Sequence, residues 1–254
     1  MPLPNQITST YTMEIPSTKQ KVKFRPWLVK EEKIILVAMQ EMNGNINVVL
    51  DAIRTIVSNC TFGVLDTNKL TSYDLEYIFL ELKKKSSGAI QDLAFTCQNN
   101  IYFPDPVNPS GPPMSTKCGH LNPMKLDLNI VSLVSAKDRS NKVMLSNTMG
   151  LTLRDATLAE ATQLEESLKK QDILQIYEMT YKLVDTIFDG PTIYKDYTTE
   201  ELRDFIDNLS SDQFQKIRDF FESVPTLQAK LDVCCAKCGY KETVTLEGLQ
   251  SFLA

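Results

Sequence analysis

Two cysteine-containing stretches, far apart in the chain, most constrain what this sequence can fold into. The late stretch, residues 231–246, reads LDVCCAKCGYKETVTL; the early one begins LAFTC at 93–97 and resumes as TKCGHLNPMKL at 116–126. In each, an apolar segment typical of a strand precedes the first cysteine. The second cysteine then lies within Lys-Cys-Gly-aromatic, and apolar residues follow in alternation. The sequence therefore predicts an internal repeat of a strand–turn–strand unit.

The repeat gives four cysteines matching positions, with Cys97 opposite Cys235 and Cys118 opposite Cys238. A tight turn that carries C-x-x-C-G presents two thiolates on one side. Two such turns facing each other form a closed tetrahedral shell, as in structural zinc ribbons. We therefore predict a structural zinc ion bound by these four cysteines. A tetrad of thiolates also suits iron, so the sequence does not fix the metal.

The early copy departs from this pattern because twenty residues, Gln98–Lys117, separate its two cysteines. Its prolines are concentrated in PDPVNPSGPP at Pro104–Pro113, a composition that indicates a loop. We interpret the segment as an exposed insertion at the tip of the turn. The insertion removes the spacing evidence for this pair but does not forbid the two cysteines from binding one ion.

Two other interpretations of the cysteines remain open. The four thiols could be buried without a metal, or Cys235 and Cys238 could be a redox pair. A redox C-x-x-C opens a helix in a βαβ unit, whereas KETVTL after Cys238 is typical of a strand. His120, the sole histidine, is an alternative ligand. We expect Cys60 and Cys234 to lie outside the site.

The hydropathy pattern of the rest of the chain predicts an α+β protein that is mainly helical. Alternation at 11–15 and 21–25 predicts an N-terminal β-hairpin, and helical periodicity follows from Lys30. Residues 157–224 are helical by period, and Thr198 with Glu201 fits a capping box. Three amphipathic segments carry this second helical prediction: LEESLKK at 164–170, DILQIYEMTYKLVDTIF at 172–188, and the two-helix stretch from 198 to 225.

These patterns divide the chain into three parts. Residues 1–92 form a hairpin plus a helical region, and residues 129–228 form a strand-led helical insert. Residues 93–128 and 229–254 together form the split zinc-ribbon-like element. Because its ligands come from both sides of the insert, we expect one cooperative unit.

Composition and motifs argue against several classes of function. The net charge is -5 and the pI about 5.1, which is unlike a nucleic-acid binder. No phosphate-binding loop, dinucleotide fingerprint or zinc-protease motif is present, and a closed thiolate shell leaves a metal no catalytic position. The first residues lack the pattern of a secretory signal, and no apolar run is long enough to span a membrane. We therefore expect an intracellular protein that is not an enzyme.

Three stretches together carry a resemblance to a known family: KVKFRPWLVKEEKIILVAM at 21–39, YDLEYIFLELKKKSSG at 73–88 and KCGYKETVTLEGLQSFL at 237–253. They resemble the baseplate hub assembly proteins of T-even-like tailed phages, and FRPWLVKEEK at 24–33 is the most specific part. The resemblance implies a role in building the central hub of a contractile-tail baseplate, in the host cytoplasm, with other hub proteins as partners. It also leaves open a hub subunit retained in the tail of the virion.

The same FRPWLVKEEK block supplies the predicted partner-binding residues. Aromatic and arginine side chains are favoured at the energetic centres of interfaces. We therefore predict contacts with a protein partner through Arg25, Trp27, Lys30 and Glu31. For Arg25, Lys30 and Glu31 this prediction assumes side chains exposed at the surface.

Overall fold

The computed structural model describes residues 8–41, 46–106, 108, 110–135, 139–163 and 173–252. They form two compact units, and each unit is discontinuous in sequence. The first unit comprises residues up to 82 and residues 133–226, and the second comprises 83–132 and 227–254.

Helices and strands occur in separate runs along most of the chain. The helices are α1 (Val29–Glu41), α2 (Ile46–Cys60), α3 (Ser72–Ser86), α4 (Ile173–Leu183), α5 (Thr199–Asp207) and α6 (Ser211–Glu222). The strands are β1 (Tyr11–Glu14), β2 (Lys21–Phe24), β3 (Ile90–Thr96), β4 (Asn100–Phe103), β5 (Met114–Lys117), β6 (Leu121–Asp127), β7 (Ser132–Val134), β8 (Lys142–Met144), β9 (Met149–Leu153), β10 (Val184–Asp189), β11 (Thr192–Tyr194), β12 (Thr226–Cys234) and β13 (Lys241–Glu247). None of the helices in the described part is long and apolar enough to cross a membrane.

The predicted N-terminal hairpin is present, with β1 and β2 paired from Tyr11 opposite Phe24 to Glu14 opposite Lys21. The alternation of apolar and polar residues places one face of the hairpin inside. Met13, Val22 and Phe24 are buried, and their neighbours within the two strands are exposed. The helices that follow bury an apolar stripe in the same unit. Its largest fully buried members include Ile53, Ile56, Leu75, Ile78, Phe79 and Leu80.

The prediction of a mainly helical protein is wrong, because the described residues form thirteen strands in five sheets. The segment predicted as one helix over 172–188 is helical only to Leu183 and continues as strand β10. The β-branched residues Val184, Thr186 and Ile187 favour a strand. Gly190, at φ +53, then turns the chain into β11, as the first residue of a tight hairpin turn does. The predicted helical segment at 164–170 lies outside the described residues.

A four-stranded antiparallel sheet in the order β11-β10-β9-β8 packs with the C-terminal helices of the first unit. The start of α5 matches the prediction, since Thr198 caps it with Glu201. Ser210 caps α6 with Gln213 in the same way. These capping boxes satisfy amide groups that a helix start leaves unpaired. The apolar residues buried between sheet and helices include Leu151, Leu153, Leu202, Ile206, Ile217 and Phe220.

The second unit is built from antiparallel ribbons. β3 pairs with β6, β12 pairs with β13, and a shorter hairpin of β4 and β5 lies between the strands of the first pair in sequence. These ribbons end in the turns that carry the four cysteines.

Candidate metal centre

The two ribbons end in turns with the same hydrogen bonds, as the sequence repeat predicts. In the early turn the backbone amide of Cys97 donates to the carbonyl of His120 over 2.9 Å. In the late turn the amide of Cys235 donates to the carbonyl of Tyr240 over 2.8 Å. The aromatic residue after Lys-Cys-Gly therefore has the same backbone role in both copies.

A glycine at the same position closes each turn. Gly119 has φ +61 and Gly239 has φ +70, in the left-handed region that residues with a Cβ rarely adopt. Each donates its amide to the carbonyl of the first cysteine of its turn, over 3.1 Å to Cys97 and 2.8 Å to Cys235. The glycine of C-x-x-C-G is thus required by the backbone of the turn.

The insertion enters the early turn just before its second cysteine. The amide of Cys118 donates to the carbonyl of Asn99 over 2.8 Å, and Asn100 pairs with Lys117 at the base of the β4–β5 hairpin. Removing 100–117 would leave Cys-Gln-Asn-Cys, which is the C-x-x-C spacing of the late turn. The described prolines of this segment, Pro104, Pro106, Pro112 and Pro113, lie outside the two strands, as the sequence predicts.

The structure brings Cys97, Cys118, Cys235 and Cys238 together, with all four Sγ atoms within 4.8 Å of one another. Cys97 and Cys238 approach to 3.7 Å between sulfurs, and Cys118 and Cys235 to 3.8 Å. The repeat relates one of these pairs to the other, so the two halves contribute symmetrically. Three of the cysteines are buried and Cys238 is half-buried.

These distances fit a metal ion at the centre of the cluster. A tetrahedron with metal–sulfur bonds of about 2.3 Å has sulfur–sulfur edges of about 3.8 Å, close to the two short separations. Four thiolates would complete the coordination shell and leave no open position. The four cysteines can therefore bind a metal, and the geometry alone does not identify which one.

Burial and hydrogen bonding shift the pKa values of Cys97, Cys118 and Cys235 in different directions. Burial raises the pKa of Cys97 to about 12 and also raises the pKa of Cys118. Burial opposes ionisation of Cys235 as well, but hydrogen bonds from the backbone amides of Cys238 and Lys237 lower its pKa to about 6. Since a metal binds thiolates, loading this site must release protons from Cys97 and Cys118.

Asn122 joins the two turns, and the sequence analysis missed it. Its Oδ1 accepts the amide of Ala236 over 2.9 Å, and its Nδ2 donates to the carbonyl of His120 over 3.1 Å. A sequence sign of this role was present. Asn122 occupies an inward position of β6, where the alternating pattern of a strand predicts an apolar residue. A buried polar side chain that bonds both halves is typical of the support around metal ligands.

The remaining thiols and the histidine lie outside this cluster. His120 contributes its backbone carbonyl but is not part of the four-ligand group. Cys60 is buried and accepts a hydrogen bond from Arg25 over 3.7 Å, and burial raises its pKa to about 11. Cys234 is exposed. After Cys238 the chain enters strand β13 rather than a helix, unlike the setting of a redox C-x-x-C.

Comparison with known proteins adds the family. Residues 8–254 match the family described as T4 bacteriophage base plate protein. The chain belongs to this family. No curated protein and no solved structure matches it.

The predicted partner-binding residues of this baseplate protein lie in different environments. Glu31 is fully buried, so the expectation that it is exposed is wrong. Its carboxylate pairs with Arg25 over 2.9 Å and accepts the amide of Leu28 over 2.8 Å, at the start of α1. Trp27 packs against Phe79, with ring centroids 5.4 Å apart. Lys30 is exposed.

The ion pair between Glu31 and Arg25 explains why a charged residue of the FRPWLVKEEK block is buried. Hydrogen bonds from the amide of Leu28 and from Arg25 hold the carboxylate of Glu31 in place. The third residue of a helix accepts the amide before the first turn in the same way in a capping box. Although burial alone would raise the pKa of Glu31, its bonds to Arg25 and Leu28 hold that pKa below its usual value. The sequence sign of this inward role was an acidic residue at the third position of α1, three positions after Leu28.

Proposed function

We propose that this protein is a non-enzymatic assembly factor for the central hub of a contractile-tail phage baseplate. It acts in the host cytoplasm through contacts with other hub proteins. The observation that carries the proposal is the family match, which extends over residues 8–254 and so includes both compact units.

We also propose that the four-cysteine cluster holds zinc and that the ion is structural. Zinc favours a tetrahedral set of thiolates, and the sulfur separations of 3.7 and 3.8 Å suit its bond length. A closed shell offers no position for a substrate or an activated water. The ion instead holds together two ribbons from opposite sides of residues 133–226, and bound metal contributes directly to folding free energy.

A non-enzymatic role is supported by the side chains near the cluster. Asn122 and the two turn glycines hold the cysteines through backbone contacts. Among the described residues, this cluster is the single group of metal-binding side chains found. His120 is not one of the four ligands, and four thiolates leave a metal no open position for a substrate.

Quantitative mass spectrometry along the assembly pathway tests the assembly role. An assembly factor is expected in hub intermediates and absent from purified infectious particles. Stoichiometric copies in finished tails would overturn this proposal and support the alternative, a structural hub subunit retained in the virion. Deleting the coding sequence should halt assembly before a complete hub forms, whereas normal baseplates in its absence would contradict both roles.

A further inference from the structure

The outward side of α1 is more apolar than a solvent-facing helix normally is. Ile35 and Ala38 are buried in the first unit, while Leu36 and Val37 are 53% and 49% exposed and Val29 is 65% exposed. An amphipathic surface helix places polar residues on the side away from the core. Clustered exposed apolar side chains instead mark an interaction surface.

A groove between α1 and α2 runs beside these residues. It has a volume of about 410 Å³, and its lining is mostly apolar. Ile34, Ala38, Val48 and Ala52 line it together with Val37, which is half exposed. The groove can receive side chains from a second helix laid along α1.

The charges along the groove are self-complementary. Lys33, Val37 and Glu41 are spaced four residues apart and therefore lie in one row along α1. Lys33 and Glu41 are both exposed, and neither forms an ion pair within the described part of the chain. Lys33 and Glu41 lie at equal distances on either side of Val37. In a second copy that runs in the opposite direction, each charge would therefore lie opposite a charge of the other sign.

We propose that two copies of this chain form a symmetric dimer through antiparallel α1 helices, with Val37 at the two-fold axis. A two-fold interface uses the same surface on both copies, so residue i contacts j and j contacts i. With a rise of about 1.5 Å per residue, Lys33 of one copy lies about 6 Å from the axis, level with Glu41 of the other. The apolar centre and the two ion pairs together favour a second copy over an unrelated partner.

Sedimentation of the full-length, metal-loaded protein tests the dimer. The wild-type chain of 28.7 kDa is expected to sediment as a dimer at micromolar concentrations. Val37→Asp is expected to be monomeric, because it places two carboxylates at the axis. Ile193→Asp is the matched control, since Ile193 is exposed but lies outside α1 and α2, and it should remain dimeric. A wild-type monomer at about 100 µM would overturn the proposal.

Charge exchange tests the antiparallel register without altering the apolar centre. Lys33→Glu and Glu41→Lys are each expected to weaken dimerisation at least ~10-fold, because each creates like-charge contacts. The double variant restores opposite charges and should recover near wild-type affinity. Circular-dichroism spectra that match the wild type would show that all three variants fold. If the single variants weaken the dimer and the double variant does not recover, the antiparallel arrangement is wrong.

Discussion

Gly150 shows how a missing side chain determines packing in the four-stranded sheet. It lies in β9, opposite Phe188 of β10 in the sheet register. A Cβ at position 150 would lie 2.4 Å from Cζ of Phe188 and 2.5 Å from the carbonyl oxygen of Val143. The Phe188 ring therefore occupies space that any other residue at 150 would need.

Replacing Gly150 by alanine is expected to destabilise the protein by about 2 kcal/mol or more, since overpacking forces the ring or the backbone to move. Urea unfolding of the variant measures the loss. The control is the same substitution in a Phe188→Leu background, where the obstruction is smaller and the two changes should not be additive. An equal loss in both backgrounds would show that the ring is not the cause.

Glu160 provides a pH-dependent contribution to stability. Arg154 donates two hydrogen bonds to its carboxylate, over 2.9 and 2.7 Å, and Thr157 donates from its backbone and side chain. The bonds from Arg154 are the main cause that lowers the pKa of Glu160 from 4.5 to about 2. Because the folded pKa is the lower one, the stabilisation is complete above pH 4.5 and is lost as pH falls towards 2.

Glu160→Gln is therefore expected to cost about 1–2 kcal/mol at pH 7, an amount reduced by the partial exposure of Arg154. The difference from wild type should narrow between pH 5 and pH 2. Urea unfolding across this range measures it, with the exposed Glu32→Gln as the comparison variant. A difference that stays constant down to pH 2 would contradict the pKa assignment.

At the scale of elements, the β4–β5 hairpin is an addition to a complete turn. The carbonyl of Asn99 and the amide of Cys118 already meet at 2.8 Å, so the chain can be joined there. Deleting residues 100–117 is expected to leave a protein that binds one metal per chain. A modest loss of affinity is expected because Ile101 packs against the cysteines.

Metal content and unfolding of the deletion variant would test this directly. The control is a deletion of the same residues together with Cys97→Ser, which removes a ligand and should abolish binding. If the deletion variant loses the metal while the full chain retains it, the hairpin is part of the metal site. The two repeated turns alone would then be insufficient to bind the ion.

Elements differed in how much the sequence could reveal. The two cysteine-bearing turns were predictable because Lys-Cys-Gly-aromatic fixes a glycine-dependent turn. The helix caps at Thr198 and Ser210 were predictable because short polar side chains bond the first amides of a helix locally. Strand β10 was not predictable, because Val184–Asp189 continues the apolar period of the helix before it. Only its β-branched residues and the turn at Gly190 indicate a strand. Glu31 was misassigned because burial of a charge depends on Arg25, a partner that periodicity does not show.

At the scale of the whole molecule, the second unit depends on segments that are distant in sequence. Cys97 and Cys238 are 141 positions apart, and closing so long a loop carries a conformational entropy penalty that grows with its length. The described ribbons are short, and many of their residues are exposed. Bound structural zinc contributes roughly 10–16 kcal/mol in small peptides, enough to offset such a closure.

The most direct measurement is the metal content of the purified full-length protein, compared with Cys118→Ser and Cys234→Ser. Cys118 lies in the cluster, whereas Cys234 is exposed and lies outside it. We expect one zinc per chain in the wild type and in Cys234→Ser, with strongly reduced zinc and lower stability in Cys118→Ser. Wild-type protein that folds without any metal, with stability unchanged by Cys118→Ser, would contradict the metal centre.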